Sequence, residues 1–200
     1  MKKISLITGG AGFIGSHLVD LLINENHEVR VIDNLSGGHE SNLRPHQNEN
    51  NLKCEWSDIN ELKEDATIFS DVDYCFHLAG IGDIVPSIEK PLDYMKTNVQ
   101  GTVRVLEAAR RRNLSKIIYA SSSSCYGLAS TPTDENHKIQ PMYPYALSKY
   151  QGEQIVLHYN KLFNIPSISI RIFNAYGTRS RTSGNYGAVF GVMLKQKLEN

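Results

Sequence analysis

Tyr145 and Lys149 stand four residues apart in YPYALSKYQGE, so on a helix their side chains share one face. A free phenol, with a pKa of about 10, is roughly one part in a thousand ionised at neutral pH. An ammonium within ~4–6 Å, joined by a second positive charge, lowers it by ~1–3 units, into the range of a working general base. Upstream, the hydroxyl run Ser121 to Ser124 precedes Cys125-Tyr126-Gly127. Such a run is either a polar turn or the group that holds the oxygen whose proton the phenol removes. A third cluster lies near the start, where Gly9, Gly12 and Gly15 in TGGAGFIGSH have the spacing GxxGxxG. The second glycine of such a turn lets a diphosphate approach the backbone, and the third lets helix and strand pack closely. The N–H groups at the helix start then face the anion. Asp33 follows Gly15 by 18 residues. A carboxylate there accepts from both ribose hydroxyls and repels a 2′-phosphate, which favours NAD over NADP. Asp58-Ile59 follow another apolar run and are placed to flank an adenine ring.

These clusters need strands that end beside one another. Apolar runs predict strands at 3–8, 28–32, 52–56, 73–78, 116–120 and 167–173. Helical periodicity predicts a helix over 12–24, with Ile14, Leu18, Leu21 and Leu22 on one face. It predicts one long helix over 91–112, with Leu92, Met95, Val99, Val103, Leu106 and Ala109 as its apolar positions. The basic triplet Arg110-Arg111-Arg112 suits that helix's C-terminal end. A third helix is expected over 143–163, and 34–51 reads as an irregular excursion with one helical turn. Strands alternating with helices imply an α/β fold, a doubly wound parallel sheet (Rossmann fold) covered on both faces. Such sheets bind ligands at the carboxyl ends of their strands. Every unusual cluster falls at one of those ends.

Composition narrows the rest. The chain of 200 residues is 40% hydrophobic and 21% charged, enough to bury a core. Lys plus Arg and Asp plus Glu both number 21, so no charge footprint points to nucleic acid or an anionic membrane. No apolar run approaches the ~18 residues that read as a membrane span. The opening Met1-Lys2-Lys3 imitates a signal peptide, but glycines and His17 interrupt the apolar stretch that follows. Cys54, Cys75 and Cys125 are odd in number and lack metal-ligand spacing, which fits reduced thiols and a cytoplasmic protein. The seven histidines show no ligand spacing either, so no metal is expected, and His77 reads as a packed core residue.

Taken together, TGGAGFIGSH, Asp33-Asn34, Asp58-Ile59, HLAG at 77–80, Asn98 in TNVQGT, SSSSCYG, YPYALSKYQGE and RIFNAYG at 171–177 resemble the extended short-chain dehydrogenase/reductase family. The likeness is to its NAD-dependent nucleotide-sugar epimerases and dehydratases, and it runs from Ile4 to Gly177. It implies that Tyr145 is the base and Lys149 the ribose-binding, phenol-lowering partner. It places the catalytic hydroxyl at Ser122, with Ser123 second. It also implies that Phe13, Ile14, Asn34, Leu78, Ala79, Gly80, Asn98 and Phe173 join the glycines, Asp33, Asp58 and Ile59 around the cofactor. Asn174 matches a position that contacts the substrate diphosphate, and Ser87 a loop beside the sugar. Dehydratases of the family carry Asp-Glu directly after the catalytic hydroxyl, and related decarboxylases a Glu two before the Tyr-Gly pair; here those positions hold Ser123 and Ser124. Cys125 is one residue from Tyr126, not two as in the GDP-sugar reductase/epimerases, and reads as structural.

What remains resembles a UDP-hexose 4-epimerase, acting on UDP-glucose/UDP-galactose or their N-acetyl forms. The alternative is an NAD-binding fragment, or another nucleotide-sugar dehydratase or reductase, with no turnover in these 200 residues alone. Residues 1–177 are expected to form the NAD-binding domain and 178–200 the start of a sugar-nucleotide domain largely missing from this chain. A homodimer through helices 91–112 and 143–163 is implied as well.

Overall fold

Each apolar run between a helix and a glycine or polar stop becomes a strand in the computed structural model, which describes residues 2–180 and 189–199. The strands are β1 (Ile4–Thr8), β2 (Glu28–Asp33), β3 (Leu52–Trp56), β4 (Tyr74–His77), β5 (Lys116–Ser122) and β6 (Ser167–Ile172). They form one parallel sheet in the order β3-β2-β1-β4-β5-β6. The order reverses between β1 and β4, the crevice where such sheets take ligands. Register brings the chemistry there: Thr8 pairs with both Ile32 and His77, and Ser122 pairs with Ile172.

The helices are α1 (Phe13–Asn24), α2 (Ile84–Glu89), α3 (Pro91–Tyr94), α4 (Gly101–Arg110), α5 (Pro144–Phe163) and α6 (Val189–Glu199). Strand alternation divides the core between the two faces of the sheet. Leu6 packs with Val105, Leu106, Tyr119 and Val156 beneath α4 and α5, while Ile7 packs with Val19, Leu22 and Val31 beneath α1. Burial of each such side chain contributes ~1.5–3 kcal/mol.

Several expectations need correction. Coverage on both faces fails at the two edge strands: β3 is mostly exposed, and Ile168 and Ile170 of β6 stand about half exposed. On α1 the buried positions are Gly15, Ser16, Val19 and Leu22, while Ile14 and Leu21 face outward, because Gly15 must lie against the first turn. The helix predicted over 91–112 is not uniform. Between α3 and α4 the six residues Met95–Gln100 widen into a π turn. The inner face there is polar or small, through Tyr94, Asn98, Gly101 and Thr102, while Leu92 is 80% exposed. Helix α2 was not anticipated. The irregular 34–51 segment contains one 3-10 stretch, Glu40–His46. Of the segment assigned to a second domain, residues 181–188 and 200 lie outside the described residues.

Candidate active site

β1 ends in a bend only glycine permits. Gly9 has φ +75°, and a Cβ there would sit 2.8 Å from the Ala79 nitrogen. At Gly15 a Cβ would lie 2.1 Å from the Gly9 carbonyl oxygen, so any side chain would push α1 off the turn. Gly12 begins α1 without a side-chain cap. The first-turn amides, Phe13 and Ile14 among them, therefore face an opening suited to an anion.

Asp33, at the end of β2, is 7% exposed and holds this bend from below. Its Oδ2 accepts from the Ala11 amide at 2.9 Å and its Oδ1 from the Leu35 amide at 2.8 Å. The residue expected to read a ribose thus also fixes the glycine turn. Asn34 donates to Asp58 Oδ2 at 3.0 Å. Burial pushes the Asp58 carboxyl up, but bonds from Asn60 and Asn34 outweigh it and hold the group below its ordinary value. Ile59 departs from its expected place: its side chain is 4% exposed and lies in the core against Gly101, leaving only its backbone for a ligand. Asn42, which carried no signal in the sequence, donates to the Ala11 carbonyl at 2.8 Å and braces the same bend.

Across the switch point, a crevice of about 580 Å³ opens between β4, β5, β6 and α5. Ile14, Leu78, Gly80, Ser122, Ser123, Ser124, Tyr145, Lys149, Phe173 and Asn174 all line it. The two side chains of α5 behave differently. Lys149 is 6% exposed, and burial lowers its ammonium to about 8. Its Nζ lies 4.5 Å from the Tyr119 ring centroid, a cation–π contact, and close to Gly80. The Tyr145 phenol is raised above its ordinary value, chiefly by burial, with the Tyr143 and Asp83 charges adding to the rise. The principal contact drawing it down is a hydrogen bond with Ser122. That function was expected of Lys149.

Behind the crevice lies a buried chain of hydrogen bonds. The Ala79 amide donates to Thr8 Oγ1 at 3.2 Å, and Thr8 Oγ1 lies 2.6 Å from His77 Nδ1. His77 Nε2 lies 2.9 Å from Thr102 Oγ1, which itself donates to the Asn98 carbonyl at 2.7 Å. Because the Thr102 proton is committed to that carbonyl, His77 must donate through Nε2 and accept from Thr8 at Nδ1. Asn98 is engaged too: its side chain clamps the Ile81 amide and carbonyl and donates to Ser148 Oγ at 2.9 Å. It therefore shapes the wall of the crevice from behind, while its Oδ1 keeps a second lone pair beyond the Ile81 amide. The packed histidine of the sequence reading is thus a neutral, doubly bonded link between the glycine bend, β4 and the π turn.

Burial first, and then the Lys149 charge, lowers His77 to about 3. Its folded pKa lies below the ordinary ~6.5, so it favours folding fully above that value and loses stability as pH falls toward 3, by up to ~1.4 kcal/mol per unit. His77→Phe is expected to cost about 1–3 kcal/mol at pH 7, because Thr8 and Thr102 lose a partner. It should also flatten the stability slope between pH 6.5 and 4, as read by urea unfolding at several pH values. An unchanged slope would show that another group carries it.

Ser87 does not reach the crevice: it is fully buried in α2, and its hydroxyl donates to the Ile84 carbonyl. Neighbouring Ile81, Gly82 and Ile84 line the cavity instead. Cys125 is buried in the turn Ser123–Tyr126, and all three cysteines are free thiols. Two further residues were missed. Glu153, two turns beyond Tyr145 on α5, accepts from Arg171 of β6 at 2.6 Å, and Arg171 also donates to the Tyr126 hydroxyl at 2.7 Å. The recurrence Tyr145, Lys149, Glu153 at one-turn intervals was the signal that would have found the pair.

Comparison with known proteins agrees with this geometry. The model of the NAD dependent epimerase/dehydratase family matches residues 5–200. A putative UDP-glucose 4-epimerase of Methanocaldococcus jannaschii is 40% identical over 98% of this chain and 63% of its own length. A UDP-glucose 4-epimerase of Mycolicibacterium smegmatis is 37% identical over 92% of this chain and 60% of its own. The solved UDP-N-acetylglucosamine 4-epimerase of Methanobrevibacter ruminantium M1, in complex with UDP-N-acetylmuramic acid, superposes with a TM-score of 0.94 at 34% identity, over 100% of this chain and 64% of that one. The UDP-glucuronic acid 4-epimerase of Bacillus cereus, in complex with UDP-glucuronic acid and NAD, superposes at 0.89 and 33% identity, over 98% of this chain and 63% of that one. The chain thus spans less than two thirds of the length of these relatives. With its glycine bend, strand-end serines and Tyr–Lys helix in the places just described, the chain belongs to the NAD dependent epimerase/dehydratase family.

Proposed function

We propose that the whole protein is an NAD-dependent UDP-sugar 4-epimerase. The observation that carries this reading is the crevice itself, where Tyr145, Ser122 and Lys149 converge at the carboxyl end of the sheet with no carboxylate at position 123 or 124. The glycine bend fits NAD: the space a Cβ would fill at Gly9 and Gly15, and the uncapped start of α1, suit a diphosphate. Asp33 stands at the end of β2 for the ribose, and Lys149 beside Gly80 for the second ribose. When bound, NAD supplies a hydride acceptor and a positive ring. Tyr145 takes the proton of the sugar 4-hydroxyl as the C4–H electron pair departs, and returns it when hydride comes back to the opposite face. Ser122 holds O4, and Asn174 and Phe173 flank the outer part of the crevice. A 4-keto sugar that turns over between the two transfers gives inversion with no net redox change, and the protein's part is alignment and proton transfer.

A dehydratase or decarboxylase reading has less support. A UDP-N-acetyl-alpha-D-glucosaminuronate decarboxylase of Bacillus cytotoxicus is 34% identical to this chain, but Ser123 and Ser124 supply no further acid. The whole protein should convert UDP-glucose, UDP-N-acetylglucosamine or UDP-glucuronic acid to its C4 epimer, read by NMR of the products. A 4-keto-6-deoxy product or released carbon dioxide would overturn the reading.

We further infer a cytoplasmic homodimer. Among the described residues no helix is long and apolar enough to cross a membrane. Helices α4 and α5 pack together, joined by Tyr159 donating to Glu107 at 2.7 Å, and leave a groove lined by Val103, Ile155, Leu157 and Tyr159. Sedimentation of the whole protein should give twice the monomer mass, and Leu157→Glu should return it to monomer.

A further inference from the structure

A serine hydroxyl has one proton and two lone pairs. At Ser122 both lone pairs are filled by one neighbour: Ser124 donates its backbone N–H at 3.2 Å and its own O–H at 2.8 Å. The local fold makes this inevitable. Ser122 ends β5 in extended conformation and caps the tight turn Ser123–Tyr126, and that turn is closed by the Gly127 amide on the Ser124 carbonyl at 3.2 Å. Cys125, fully buried, pins the turn from beneath. The one hydrogen-bonding element left to Ser122 is its proton, and the side chain that faces it across the crevice is Tyr145.

We propose that Ser124 is a positioning residue of the reaction: by filling the acceptor capacity of Ser122 it makes that hydroxyl an obligate donor, aimed at the Tyr145 oxygen and, with substrate bound, at the sugar O4. The proposal deepens the 4-epimerase reading and rests on it. Its physical content is a choice between two polarities. If the phenol donates to Ser122, the bond favours the neutral phenol and opposes its use as a base; if Ser122 donates to the phenol oxygen, the bond favours the phenolate. Ser124 excludes the first arrangement, because no lone pair remains on Ser122 to receive the phenol proton. Within a buried site such a chain of donors also polarises each member in the same direction.

Other groups around Tyr145 do not set this polarity. Tyr143 at the start of its own helix and Asp83 at the start of α2 both raise the phenol. Tyr94 of α3 meets it ring edge to face, with centroids 6.3 Å apart. Lys149, one turn along α5, lies over the Tyr119 ring.

The test uses the NAD-loaded whole protein and two readouts. One is the pH profile of kcat/KM for epimerisation; the other is the absorbance titration of tyrosinate, taken as the difference from Tyr145→Phe. Ser124→Ala should move the Tyr145 limb about 0.5–1 pH unit upward in both, with a three- to tenfold lower kcat/KM at pH 7 that recovers in alkali. Ser124→Thr, which keeps the hydroxyl, should behave as wild type. The effect of Ser124→Ala should vanish in a Ser122→Ala background, since Ser124 acts through Ser122. A Ser124→Ala limb at the wild-type position in the titration, or additive effects of the two alanines, would overturn the proposal. If the wild-type protein turned over no UDP-sugar, the function would be wrong while the absorbance titration still decided the role of Ser124.

Discussion

Replacing Tyr145 by Phe lowers kcat of the whole protein by about a thousandfold or more, with NAD retained and the fold intact. General acid–base catalysis contributes ~10²–10⁴ in rate, and Tyr145, which lines the crevice, is the group proposed to take a proton from the sugar hydroxyl and return it. The ring itself stays useful: it packs edge to face on Tyr94, and Phe preserves that contact. Stability in urea should therefore change by no more than the hydrogen bond to Ser122, about 1 kcal/mol. The pH dependence has a definite sign. With the phenolate as the proposed active form and the phenol raised by burial, activity is expected to climb with pH on the Tyr145 limb. Lys149 works against this at the alkaline end, because burial lowers it to about 8 and it loses its charge beyond that. The two groups share one face of α5, so the observed limbs belong to the pair rather than to either residue. Tyr145→Phe turning over at more than a tenth of the wild-type rate would remove Tyr145 as the base.

What the sequence shows of this arrangement depends on the distance between partners. The glycine bend and the Tyr145–Lys149 pair are local patterns, set by turn geometry and helical pitch, and both are legible in a few consecutive residues. So are the central strands, whose apolar runs end at glycine or polar stops. The π turn at Met95–Gln100 was not legible, because one extra residue per turn leaves no mark on a 3.6-residue period. Its inner face is also polar, chosen to meet His77 rather than a hydrophobic neighbour. His77 itself joins Thr8 and Thr102, which lie 69 and 25 residues away. The side-chain directions of Ser87 and Ile59 were not legible for a related reason. Family position places a residue on an element, but not the direction of its side chain, and here one faces a helix carbonyl and the other the core.

Arg171→Met, the second large effect, is expected to cost about 3–5 kcal/mol, since it leaves the Glu153 carboxylate buried without its cation. The Glu153 side chain is 2% exposed, and Arg171 reaches it through Nη2 at 2.6 Å and Nε at 3.2 Å. Burial pushes the Glu153 carboxyl up, but the Arg171 bonds and charge overcome that and hold it below its ordinary value. In the wild type its folded pKa is depressed. The pair therefore stabilises fully above the unfolded value of about 4.3, and that share is lost as pH falls through the folded pKa. In Arg171→Met the sign reverses. Left with the Ser169 hydroxyl at 3.1 Å but no cation, the carboxylate should be raised by its burial, so the deficit is largest at neutral pH and shrinks as acid protonates Glu153. Measured by urea unfolding from pH 8 to 4, the gap between the two proteins should narrow steadily. The double variant Glu153→Met/Arg171→Met should regain much of the loss, because two apolar side chains leave no unpaired charge. Catalysis should suffer independently. Arg171 also donates to Tyr126 at 2.7 Å and lies over its ring, and Tyr126 closes the turn that carries Ser122 and Ser124. The double variant should thus recover stability but not kcat. A gap under 1 kcal/mol, or one that widens in acid, would show that the pair is bystander to both fold and site.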